Sequence, residues 1–190
     1  MRLTDQVHQE LRQLVRQGDV CIDATAGNGH DTLVLAKLVG PAGRIIAVDL
    51  QAQAIHRTRT RLEQNAARAQ CALVHGNHGA ELIRLCAEYT GRVRAITFNL
   101  GYLPGSDKTI ITDGDTTLKA LDAAATLLSL QGAVLLTAYR GHPGGIDEAT
   151  RVEAWMRQQA SRDWAIECFE PQSGKTGRVP PILWIARKQK

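Results

Sequence analysis

Nowhere in this 190-residue chain do about 18 apolar residues, the length of a membrane-spanning helix, follow one another unbroken. A membrane partner is therefore not expected. The first 20 residues carry Asp5, Glu10 and Asp19 and contain no apolar core of signal-peptide length, so the expected compartment is the cytoplasm. Cys21, Cys71, Cys86 and Cys168 are scattered without Cys-x-x-Cys spacing, which speaks against a disulfide framework. Cys21 and Cys71 fall in or beside apolar runs and read as buried thiols. No pairing among the four cysteines and six histidines has ligand spacing, so no metal is expected. Repeats, low-complexity tracts and linkers are also missing, and residues 1–190 read as one domain.

What is present is ordinary soluble composition with a basic lean. Hydrophobic residues make up 44% and charged residues 22%, enough for a substantial core. A net charge of +4 permits an anionic partner such as RNA without demanding one.

Apolar strand-like runs alternate with helical periodicity almost from end to end. Val7, Leu11, Leu14 and Val15 mark a leading amphipathic helix, capped by Thr4 and closed at Gly18. Strands are predicted near 19–23, 44–49, 71–75, 92–99 and 131–139, with helices near 30–39, 51–67, 78–90 and 115–130. Leu118, Leu121, Ala125 and Leu128 give the last helix its buried stripe. Such βα alternation calls for a parallel sheet covered on both faces. After a helix near 147–161, the runs 164–169 and 182–186 follow with only a polar loop between them. Without a crossover they must pair antiparallel. The expected fold is a three-layer α/β/α, Rossmann-like sandwich whose seven-stranded, mostly parallel sheet ends in an antiparallel hairpin. This layout resembles the class I S-adenosylmethionine (SAM) methyltransferases.

The most informative stretch is Asp23-Ala-Thr-Ala-Gly-Asn-Gly-His-Asp-Thr32, a glycine turn between a strand and a helix start. Gly27 and Gly29 permit positive φ and close approach of a ligand to bare backbone. The second strand ends in Asp49, 20 positions after Gly29, where nucleoside-binding α/β folds grip ribose hydroxyls. With SAM as ligand, the turn Ala26-Gly27-Asn28-Gly29 would meet the sulfonium and amino-acid portion, and Asp23 would hold its ammonium directly or through water. Asn77, past the third strand, can read an adenine edge or cap the next helix. His30 and Asp31 read as shaping the helix start.

The fourth strand runs into Asn99-Leu-Gly-Tyr-Leu-Pro-Gly-Ser-Asp-Lys108, whose Asn-Leu-Gly-Tyr core resembles the Asn-Pro-Pro-Tyr box of amino-group methyltransferases. Asn99 would orient an amine by hydrogen bonding and Tyr102 would pack on the substrate, which is catalysis by positioning. The fifth strand ends in Tyr139-Arg-Gly-His-Pro-Gly-Gly145, whose loop should face the same crevice. An alkylamine has a reference pKa of about 10.4, so something must take its proton; Asp107, Tyr102 and His142 are the candidates. For RNA phosphates the candidates are Lys108, Arg140, Lys175, Arg178 and the terminal residues 187–190. Ile55, Leu62 and Ala66 define the buried face of the helix near 51–67, so Arg57 and Arg61 read as projecting to water.

These three segments, taken together, resemble the Putative rRNA methylase family. Its characterised members methylate 5-aminomethyl-(2-thio)uridine at the wobble position of bacterial tRNA. Ser106 departs from a common glycine. The resemblance implies SAM as cofactor and a tRNA anticodon stem-loop as substrate, and the limited area that one small domain offers RNA makes a homodimer a candidate assembly. The alternatives are a SAM enzyme acting on rRNA or a small amine, and a non-catalytic nucleotide- or RNA-binding module.

Overall fold

The computed structural model describes residues 2–67, 71–103, 105, 112–171 and 179–189. Along these residues the elements are α1 (Leu3–Leu14), β1 (Val20–Asp23), α2 (His30–Val39), β2 (Arg44–Asp49), α3 (Ala52–Gln64), β3 (Cys71–His75) and α4 (His78–Tyr89). They continue as β4 (Val93–Leu100), α5 (Gly114–Leu127), β5 (Leu128–Ala138), α6 (Gly145–Ala160), β6 (Ala165–Phe169) and β7 (Ile182–Arg187). The sheet order is β3-β2-β1-β4-β5-β7-β6. β1 to β5 pair in parallel, whereas β7 runs antiparallel to both β5 and β6.

Alternating residues of the central strands enter two separate cores, as a parallel sheet covered on both faces requires. Cys21, Ile45, Ala95 and Leu135 pack with Val7, Leu11, Leu35 and Leu62 from α1, α2 and α3. Their neighbours Ile22, Ile46, Ile96 and Val134 pack with Leu82, Leu121 and Val152 from α4, α5 and α6. Burial of Val7, Leu11 and Val15, worth about 1.5–3 kcal/mol each, fastens α1 to the sheet. That attachment matters for the site, because α1 carries Thr4 and His8 to the crevice.

Strand order reverses between β1 and β4. The chain moves outward from β1 through β2 to β3, then returns across β1 to begin β4. Loops leaving β1 and β4 at this switch point diverge to opposite faces and open a crevice at their carboxyl ends.

Several expected boundaries shift. Arg2, not Thr4, occupies the N-cap of α1 and makes no side-chain cap, and the helix ends at Leu14. α3 stops at Gln64, with Ala66 at φ 54°. Leu128, expected on the last stripe of α5, instead opens β5. There the pairing slips from Val93↔Leu128 to Ala95↔Ala133, with Gln131 at φ 62°. A side chain on Gly132 would sit 2.9 Å from the Val93 and Ser129 carbonyl oxygens, so this bulge requires glycine. Burial pushes the Cys21 and Cys71 thiols up to about 12, which leaves them inert.

Candidate active site

Gly27 and Gly29 both adopt positive φ, 55° and 76°. A Cβ on Gly29 would come within 2.9 Å of the Thr58 Cα, so α3 packs directly on the turn. Asp49 ties this turn to the second strand. Its Oδ2 accepts from the Gly27 N–H at 2.8 Å and its Oδ1 from the Gln51 N–H at 2.8 Å. Burial raises the Asp49 pKa, while the Gln51 and Gly27 N–H groups and His75 work the other way. Each carboxylate oxygen retains a lone pair for a diol.

Arg57 and Arg61, expected in solvent, instead reach back from α3. Arg57 donates to the Asn28 Oδ1 at 3.1 Å and the Gly105 carbonyl at 3.0 Å. Arg61 donates to the Asn28 carbonyl at 2.6 Å and contacts His30 Nε2 at 3.2 Å. The helical spacing points both to water, but a guanidinium is long enough to bend back over the helix edge. Asn28 is thereby held through its backbone and its side chain.

Asp23, expected to hold the cofactor ammonium directly or through water, has both oxygens engaged within the protein. It is fully buried, with Oδ2 accepting from the Thr32 hydroxyl at 2.5 Å and Oδ1 from the Thr25 N–H at 3.3 Å. Burial, followed by the nearby Asp31 carboxylate, pushes its pKa up. Asp31 is the acid that turns to the crevice. Its Oδ2 accepts from Asn99 Nδ2 at 2.8 Å, and its Oδ1 lies 2.7 Å from His8 Nε2. A carboxylate only accepts, so the Asn99 amide must present its NH2 to Asp31 and keep Oδ1 for the crevice. The Asn99 N–H donates to Thr25 Oγ1 at 2.6 Å, which fixes the residue from its backbone as well.

Beyond Asn99 the loop is closed at its stem. The Gly101 N–H donates to Thr112 Oγ1 at 2.9 Å, and the Thr112 N–H donates back to the Gly101 carbonyl at 3.0 Å. Buried Glu148 then accepts from the Thr112 and Thr117 hydroxyls, both at 2.7 Å. Gly101 has φ 151°, and a Cβ there would lie 3.3 Å from Tyr139 Cβ. Glu148 and Thr112 give no sign in the sequence, because hydroxyl–carboxylate pairs 31 and 36 residues apart leave no periodic signal.

Asn77 caps α4, its Oδ1 accepting from the Gly79 and Ala80 N–H groups, which leaves Nδ2 to face the cleft. His142 donates from Nδ1 to the Pro143 carbonyl at 3.0 Å, and its Nε2 is buried without a partner. Gly101 and Gly145 enclose that nitrogen, which removes it from reach of an incoming amine as placed. Its ring meets Tyr102 edge-on at 6.3 Å. Arg140, expected at RNA phosphates, is engaged by Glu170 and the Pro180 carbonyl. Arg187, also expected at RNA, pairs with Glu10 and Glu167, and Lys188 Nζ donates to the Ala125 and Leu128 carbonyls. Asp107, Lys108, Lys175, Arg178 and Lys190 lie outside the described residues.

Two clefts meet at this point. The smaller is lined by Gly27, Asp49, Gln51, Asn77, His78, Leu103 and Thr116. The larger, about 800 Å³, is lined by Thr4, Ala26, Asn28, His30, Asp31, Tyr139, Arg140, His142 and Val179. Thr25, Gly27, Asn99, Gly101 and Tyr102 line both, and so form their junction.

A protein-family model described as Putative rRNA methylase matches residues 45–187, spanning β2 to β7. This chain belongs to the Putative rRNA methylase family. A second model, for protein-L-isoaspartate O-methyltransferase, matches residues 3–83, the half that carries the glycine turn and Asp49. The chloroplastic tRNA (mnm(5)s(2)U34)-methyltransferase of Arabidopsis thaliana is 40% identical, over 99% of this chain and 70% of that protein. Among solved structures, a putative rRNA-methylase from Clostridium thermocellum superposes with a TM-score of 0.87 at 30% identity, covering 97% of this chain and 96% of that one. A Streptococcus mutans putative methyltransferase in complex with SAH gives a TM-score of 0.83 at 29% identity, covering 98% of each chain.

Proposed function

We propose that this family member is a SAM-dependent N-methyltransferase acting on the aminomethyl group of 5-aminomethyl-(2-thio)uridine at the tRNA wobble position. The Arabidopsis relative supports the tRNA substrate, and the SAH-bound Streptococcus mutans structure supports the cofactor. The smaller cleft, about 120 Å³, suits the adenosine end of SAM on its own chemistry. Asp49 offers acceptors for a ribose diol, Asn77 offers an amide N–H for the adenine, and Gly27 leaves backbone bare. A Cβ on Gly27 would enter that cleft 3.6 Å from Leu103, filling part of the cradle. Ala26 and Asn28, at the mouth of the larger cleft, would meet the amino-acid portion. When bound, SAM supplies a methyl group on an electron-poor sulfur.

The observation that carries the reading is Asn99 standing where the two clefts meet, its amide oriented by Asp31. Asn99 Oδ1 accepts a hydrogen bond from the substrate amine and aims the nitrogen lone pair toward the smaller cleft. Tyr102, 38% exposed at the same junction, offers its ring to the uracil base. The larger cleft falls within the size range of ligand sites and admits an extruded nucleoside. Lys108, Lys175 and Arg178 are proposed to hold phosphates of the anticodon stem-loop, and a homodimer would widen that surface.

Asn99→Ala tests this reading. SAM affinity by calorimetry should change little, while single-turnover methylation of tRNA falls by about 10²-fold, the scale of a lost positioning contact. Near-parent rates would remove Asn99 from the chemistry.

A further inference from the structure

Asp31 sits in the larger cleft beside Asn99, and nothing in the glycine-turn pattern assigns it a chemical task. Three elements converge on it. His8 from α1 holds Oδ1 at 2.7 Å, Asn99 from β4 holds Oδ2 at 2.8 Å, and α2 supplies the residue itself. One carboxylate is thus braced on both oxygens while still lining the cleft. The Asn99 amide that would receive the substrate amine is bonded directly to it.

Resting on the proposed amine substrate, we propose that Asp31 is the group that binds the incoming ammonium and takes its proton, and that His8 positions it. The substrate arrives as R–CH2–NH3⁺ and pairs with the Asp31 carboxylate. One proton moves from nitrogen to a carboxylate oxygen, leaving a lone pair on nitrogen aimed by Asn99 Oδ1. That pair forms the new N–CH3 bond as the pair of the sulfur–methyl bond stays with sulfur. The product leaves as R–CH2–NH2⁺–CH3, and the proton on Asp31 passes to water in the open cleft. No further reactant is needed. His142, another candidate acceptor, has its free ring nitrogen enclosed by Gly101 and Gly145.

The charged and titratable groups around Asp31 shape this task. On β1, burial first and then the Asp31 carboxylate push the Asp23 pKa up. His30, beside it on α2, faces Asp31, His8 and Arg61. Tyr139, just past β5, lies within its field, and Asp5 on α1 faces His8.

The test uses Asp31→Asn, which keeps the shape, together with His8→Ala and His8→Gln. Single-turnover methylation of tRNA carrying aminomethyluridine is followed from pH 7 upward, alongside binding of that tRNA and of tRNA with an unmodified wobble uridine, without SAM. The parent should bind the amine-bearing tRNA tighter, and Asp31→Asn should lose roughly ten-fold or more of that preference. Its rate should fall about 10²-fold near pH 7 and recover by about ten-fold per pH unit as neutral amine becomes available. His8→Gln, which can still donate to Oδ1, should stay nearer the parent than His8→Ala. An Asp31→Asn defect independent of pH, or an unchanged preference for the amine, would overturn the assignment. A parent enzyme that does not methylate this tRNA at all would instead overturn the substrate reading beneath it.

Discussion

Arg57 holds Asn28 by its side chain at 3.1 Å, and the same guanidinium reaches the Gly105 carbonyl at 3.0 Å. One α3 residue thus links the turn after β1 with the loop after β4. The two loops at the junction of the clefts are mechanically joined through it.

Arg57→Ala should therefore affect both loops. Losing these partly exposed contacts should cost about 1 kcal/mol in SAM binding, roughly five-fold in affinity. Arg57→Lys should not restore it, because an ammonium cannot span two acceptors as a planar fork does. Calorimetry of SAM binding checks both, and full rescue by lysine would refute the bridging role.

Asp49→Ala removes the proposed ribose contact and also releases the Gly27 and Gln51 N–H groups. The charge-assisted contact alone is worth about 1.5–3 kcal/mol, a loss of roughly ten- to hundred-fold in SAM affinity. Unchanged affinity in a folded variant would exclude Asp49 from the cofactor site.

Glu148 underpins the Asn99 loop from below, through Thr112 and Thr117. Glu148→Ala removes the carboxylate acceptor of the half-buried Thr112 hydroxyl and the buried Thr117 hydroxyl and should destabilise the fold by about 1–2 kcal/mol, read by urea unfolding. Methylation should fall more than stability explains, because Thr112 closes the Gly101 stem. Glu148→Gln, which keeps an acceptor oxygen, should lose less of both. Equal loss in the two variants would contradict the hydrogen-bonding account.

His78 gives a pH signature to stability. Burial lowers its pKa from 6.5 to about 4 in the fold. A depressed histidine pKa means the unfolded chain binds the extra proton first. Its contribution is whole above pH 6.5 and is lost as pH falls toward 4. The loss should reach on the order of 3 kcal/mol. Denaturant melts across this window should show the slope in the parent and a flatter one in His78→Asn. A slope untouched by the substitution would place the titration elsewhere.

Much of the site's location is legible in the sequence. Strand-ending acids and glycines mark the crevice because parallel strands must discharge their loops at one edge, so Asp49, Gly27 and Asn99 meet there. The remainder depends on side-chain reach and on contacts distant in sequence, which periodicity does not carry. Arg57 and Arg61 fit a solvated stripe by spacing yet fold back over the glycine turn. Asp31 has the pattern of a helix-start residue, and its partners His8 and Asn99 lie 23 and 68 positions away. Arg140 has the charge for RNA, and its pairing with Glu170, 30 positions on, leaves no periodic signal. Leu128 continues the helical stripe by spacing, but the chain turns extended there and Leu128 opens β5.

The most direct test of the substrate assignment is nucleoside mass spectrometry of tRNA that carries unmethylated aminomethyluridine, incubated with the purified protein and SAM. The account predicts that 5-aminomethyl-(2-thio)uridine disappears from the wobble position as a species heavier by one methyl group appears, only when SAM is present. Persistence of that nucleoside, with the methyl group recovered instead in ribosomal RNA, would contradict it.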